Sequence, residues 1–166
     1  GATSLMRGCV GWWPLTDGGG ATAKDISASA YDLTKTGTIT NESTVVGTTP
    51  LFDGSTGYFR KAQDMSIHTS EVGTISLWWR LDSAAANDPG DVLFYVGDES
   101  TTNRMMVIAG RIGGSIPSAS ISFFTFLSGS PQNLIGIYDN GASWAYDDTW
   151  HHFCYVVGSS SNHMYI

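Results

Sequence analysis

Charge is scarce in this 166-residue chain: 8 Lys and Arg stand against 15 Asp and Glu, a formal net charge of −7. The five Arg and three Lys never cluster, and a negative field repels phosphate, which argues against a nucleic-acid partner. No run of 18 apolar residues occurs, which excludes a membrane-spanning helix and membrane insertion through one. Cysteine is limited to Cys9 and Cys154, neither flanked by His or a second Cys at ligand spacing. With only four scattered His, no zinc or iron ligand set is present. The two thiols leave two readings open, an edge-to-edge pairing of the first and last strands or two buried free cysteines. Glutamate is rarest of the acids, at Glu42, Glu71 and Glu99, and none has a partner carboxylate at alternate positions of a strand. A glycosidase needs such a facing pair, and Gly-x-Ser-x-Gly is missing too, so the expectation is no catalytic residues and no enzyme. No stretch of 12 residues reads as a helix.

What is abundant is small and aromatic: Gly 20, Ser 20, Thr 17, and 20 of Trp, Tyr and Phe together. That mixture points to short strands joined by tight turns. Candidate strands are 8–15, 36–40, 50–53, 57–60, 73–81, 91–97, 105–109, 120–127, 134–138 and 150–157, with 163–166 beginning another. Ala23-Lys24-Asp25 is the one faintly helical piece. The 73–81 segment is the clearest. Ile75, Leu77, Trp79 and Leu81 share one face, and Thr74, Ser76, Trp78 and Arg80 the other. Trp78 then either lines a groove or lies under a loop. Trp12, Trp13 and Trp150, in or beside apolar strands, are expected in the core. The fold expected is all-β, an antiparallel β-sandwich of jelly-roll type in a single domain over 1–166. Gly1-Ala2-Thr3-Ser4 without an initiator Met suggests a processed or excised piece. Met164-Tyr165-Ile166 would be an exposed apolar edge, so further strands are expected to follow it or to come from a partner chain.

Four stretches resemble the laminin-G-like domains of the concanavalin A-like lectin and glucanase superfamily. They are Gly11-Trp12-Trp13-Pro14-Leu15 with Asp17-Gly18 and Lys24-Asp25; Leu51-Phe52-Asp53-Gly54 with Gly57-Tyr58-Phe59; Thr74 to Arg80; and Asp148-Thr149-Trp150-His151-His152-Phe153. Their order and spacing span nearly the whole chain. The resemblance implies a sandwich whose C-terminal strands are lacking here. Similar glucanases carry Glu-x-Asp-x-Glu on a strand, and this chain does not. Lectin-like domains of this kind hold a structural Ca2+ near the early loops, which implicates Asp17, Asp25 and Asp53. From the residues alone, Asp53 before Gly54 reads as a turn former.

Sugar recognition needs aromatic platforms beside hydrogen-bonding groups. The 138–148 segment supplies both: Tyr138, Asp139, Asn140, Trp144 and Tyr146, with Trp144 the foremost candidate although it could equally cap the core. Trp78 is the remaining ligand-binding candidate, and 98–104 is a second polar loop. His151 and His152 alternate in a strand and so point to opposite faces, which prevents them from sharing a metal. Asn41-Glu42-Ser43 fits an N-glycosylation sequon. The expectation is a non-catalytic carbohydrate-binding or adhesion module on an extracellular, cell-surface or virion-surface protein, its partner a glycan or surface ligand. The alternative is a structural domain of a viral or tail-fibre protein, completed by neighbouring subunits.

Overall fold

The structure, a computed structural model, describes residues 8–16, 18, 20–45, 47–61, 72–82, 91–97, 104–109, 120–128, 130–138, 146–158 and 161–166. Of Arg104, Ser120, Phe124, Phe126, Leu127 and residues 131–138 it gives the backbone course. Twelve strands and no α-helix are found among the described residues, and every strand pair is antiparallel. The chain divides into two compact units, Gly1–Ile67 and His68–Ile166.

In the first unit β1 (Thr22–Ala23), β2 (Leu33–Thr36) and β5 (Tyr58–Arg60) form one sheet in the order β1-β2-β5. A hairpin of β3 (Ile39–Thr44) and β4 (Gly47–Phe52) makes the other. The Thr-rich stretch expected as one strand over 36–40 is two. Gly37, at φ +70, turns the chain between β2 and β3, in a backbone region that L side chains disfavour. A Cβ there would also stand 2.0 Å from the Thr56 carbonyl oxygen.

Residues 8–15, expected as the first strand, are not one. Trp12 spends its backbone groups elsewhere: its N–H donates to Asp25 Oδ1 at 2.8 Å, and its carbonyl accepts from Ile26 N at 2.9 Å. Pro14 has no N–H to offer a ladder. The faintly helical Ala23-Lys24-Asp25 is also corrected, since Ala23 ends β1 and Asp25 is a loop hub.

The second unit holds a four-stranded sheet in the order β10-β9-β8-β7, built from β7 (Asp91–Gly97), β8 (Arg104–Ala109), β9 (Ser120–Leu127) and β10 (Ser130–Tyr138). Pro131 sits where the β9–β10 register shifts, on a strand at the end of that order, where a missing N–H interrupts no central ladder. A three-stranded sheet runs β12-β11-β6, from β6 (Gly73–Trp79), β11 (His151–Val157) and β12 (Asn162–Tyr165).

Side chains of both these sheets meet in one core: Trp79, Phe153 and Tyr155 from the smaller, Val107, Ala109, Ile121 and Phe123 from the larger, with Tyr146. The Phe123 and Tyr155 rings stack with centroids 3.9 Å apart. Burying each such aromatic is worth about 2–3 kcal/mol, so the stacked pair helps hold the two sheets together. The unit is therefore β-sandwich-like. Trp12 and Trp150, expected inside, are exposed. The Trp150 ring instead lies under the Arg80 guanidinium, 5.7 Å from its centroid.

Candidate functional site

The alternation in β6 divides its side chains cleanly. Ile75, Leu77 and Trp79 pack on the core, while Thr74, Ser76 and Trp78 face outward. Strand β11 does the same, with Phe153 and Tyr155 in the core and its odd partner His151 against the Trp79 ring at 4.9 Å. His152 and Cys154 are thereby left on the outer side. Backbone register sets His152 directly opposite Trp78 and Cys154 opposite Ser76. On β12, Met164 packs against the core, so His163 and Tyr165 look outward.

The result is an outward sheet face bearing two aromatic rings and two imidazoles. Trp78 is 68% exposed, a high value for an indole on a strand. Its ring lies 5.0 Å from that of His152 at a 45° tilt. His152 Nε2 in turn meets Ser76 Oγ at 2.8 Å. Further along, the His163 ring stacks on Tyr165 with centroids 6.4 Å apart, and its Nε2 is 3.1 Å from Ser161 Oγ. Chemically the face offers a flat apolar platform rimmed by hydroxyls and ring nitrogens, the combination that a sugar's C–H face and hydroxyls require.

The other sequence candidates fare differently. Tyr146 is in the core at 1% exposure, its hydroxyl donating to the Ala109 carbonyl at 3.2 Å, so it presents no ring face to a ligand. Tyr138 ends β10 opposite Ser120, its side chain not described. Asp139, Asn140 and Trp144 lie outside the described residues, as does Asp17.

Asp25 is buried and accepts four hydrogen bonds, from Trp12 N and Ser27 N on Oδ1 and from Ser27 Oγ and Tyr31 N on Oδ2. Burial pushes its carboxyl up, and these donors together outweigh that and hold it below the ordinary carboxylate range. These four hydrogen bonds occupy its four lone-pair positions and make it the hub of its loop. Asp53 closes the β4–β5 turn, its Oδ1 accepting from the N–H groups of Ser55, Thr56 and Gly57 and its Oδ2 from the Thr56 hydroxyl. The Thr56 hydroxyl and those N–H groups bring its pKa far down. This is the turn-forming role expected of it, and it leaves the carboxylate committed to its own loop. Among the described residues no three of His, Cys, Asp and Glu gather as a metal-binding group.

Asp147, Thr149 and His151 form a local knot before β11. Asp147 Oδ1 takes hydrogen bonds from Thr149 N at 2.9 Å and Thr149 Oγ1 at 2.7 Å, and meets His151 Nε2 at 2.9 Å. The Thr149 hydroxyl and the His151 ring bring this carboxyl down to about 2. Both Thr149 and Asp147 address the same nitrogen of His151, so no base-relay geometry results.

Sequence reasoning named Trp78 but missed His152, Ser76, His163 and Tyr165. The signal that could have found them is cross-strand register, which places Trp78 beside His152 and which no single strand reveals. Comparison with protein-family models, with curated proteins and with solved structures finds no match, so the face is read from its own chemistry.

Proposed function

We propose that the chain is a non-catalytic carbohydrate-binding or adhesion module, a jelly-roll sandwich of laminin-G-like type working on an extracellular or virion surface. The ligand lies on the outward face of the β12-β11-β6 sheet with Trp78 as the stacking platform. The observation that carries this reading is the Trp78 indole, exposed at 68% amid the polar groups of Ser76 and His152. An unused indole in that setting costs hydration free energy, and stacking a sugar ring on it recovers part of that cost.

The test is a glycan array probed with the intact chain and with Trp78→Ala. Binding to a defined set of glycans is expected from the first and its loss from the second, with an unchanged far-UV circular dichroism spectrum. An intact chain that gives no signal, or a variant that binds as well as the parent, overturns the reading.

A further inference from the structure

We propose that the outward face of the β12-β11-β6 sheet takes a neutral oligosaccharide of at least three sugar units, laid across the strands from Trp78 to Tyr165. This rests on the carbohydrate-binding reading above and names the ligand class and length for the same face.

The first ground is that the face carries two platforms of one construction. Trp78, on β6, is 68% exposed, its ring 5.0 Å from that of His152, whose Nε2 meets Ser76 Oγ at 2.8 Å. Tyr165, on β12, is 56% exposed, its ring 6.4 Å from that of His163, whose Nε2 meets Ser161 Oγ at 3.1 Å. In each, an imidazole tied to a serine hydroxyl braces the aromatic ring, so less ordering remains when a ligand stacks on it. Between the platforms runs β11, whose outward His152 and Cys154 are half-buried, and the two rings stand clear of it on either side.

The second ground is spacing. Register sets Trp78 across from His152, and it sets Tyr165 across from Cys154, two residues further along β11. The rings are therefore anchored about 12 Å apart, at about 4.8 Å for each strand crossed and 3.4 Å for each residue along. A pyranose advances a glycan chain by about 5 Å, roughly one strand spacing, so one sugar cannot reach both rings. The first and third units of an extended chain can. The third ground is charge. Strands β6, β11 and β12 contain no Asp, Glu, Lys or Arg, and the Arg80 guanidinium, just past β6, lies over the Trp150 ring. A charged sugar finds no counter-ion on these strands, and the chain's net charge of −7 opposes an anionic one. Hydroxyls and C–H faces are what this surface complements.

The deciding experiment prints linear glycans of glucose, galactose, mannose, xylose and N-acetylglucosamine, from one to five units long, beside carboxylated and sulfated counterparts. The full chain, Tyr165→Ala and Tyr165→Phe are titrated over them. Affinity is expected to rise about tenfold from two units to three and little beyond. Tyr165→Ala should erase that step while keeping the affinity for two units, and Tyr165→Phe, which retains the ring, should keep the step. Far-UV circular dichroism should be unchanged in both. Glycans bound through Trp78 equally well from one unit to five would overturn this inference and leave the proposed function standing. So would a step that survives in Tyr165→Ala, or acidic glycans bound more tightly than neutral ones. No glycan bound at any length would overturn both.

Discussion

Trp78 and Trp79 are adjacent, yet one is open to solvent and the other is in the core. Their substitutions should diverge accordingly. Trp78→Ala is expected to move stability by less than about 0.5 kcal/mol, as for other exposed positions, while Trp79→Ala should cost about 3–5 kcal/mol, both read from urea unfolding. Tyr155 offers a finer contrast. Its hydroxyl is buried with no hydrogen-bond partner among the described residues, and burial pushes its pKa up. Tyr155→Phe removes that unsatisfied group and keeps the ring stacked on Phe123, so it should be neutral or stabilising by about 1 kcal/mol. A clear loss of stability in the urea midpoint would show that the hydroxyl is satisfied after all.

The strands differ in how plainly their residues announce them. Strands β6 and β11 were legible because strict alternation separates Ile75, Leu77, Phe153 and Tyr155 from their polar neighbours. Strand β1, two residues long, carries no period to read, and the start of β10 is hidden by Pro131 at its register shift. The 8–15 segment misled because its apolar run is held by a distant carboxylate, Asp25, a tertiary contact that local pattern cannot show. The candidate face was half legible for the same reason: Trp78 stood out alone, and its companions came from two other strands. Turn chemistry yields a prediction at this scale. Gly37 and Gly54 share φ +70, but a Cβ at Gly54 would meet nothing within 4 Å, whereas one at Gly37 would strike the Thr56 carbonyl. Gly54→Ala should therefore cost about 1 kcal/mol, the backbone cost alone. Gly37→Ala should cost at least about twice that, and equal thermal midpoints for the two would refute the close approach.

At the scale of the whole molecule, four carboxylates among the described residues bind their protons less tightly folded than unfolded: Asp25, Asp32, Asp53 and Asp147. Depressed values of this kind contribute stability that is fully present above the unfolded carboxylate range of about pH 4 and is lost as the pH falls through the folded values. The urea midpoint should therefore hold from about pH 7 to 5 and drop between about pH 4 and 2. Asp25→Asn should lower the neutral-pH midpoint and flatten part of that drop. An intact chain equally stable at both extremes would contradict the hydrogen-bond networks that depress these groups. The pairing of β6 with β11 has its own consequence for how the chain finds its shape. Trp78 and Trp79 stand across from His152 and His151, a doubled letter facing a doubled letter. A slip of one rung would still offer indole against imidazole there, so that end of the ladder discriminates poorly against misalignment. Fidelity falls to the Leu77–Phe153 and Ile75–Tyr155 rungs, where the same slip would turn grease toward water and hydroxyls toward the interior.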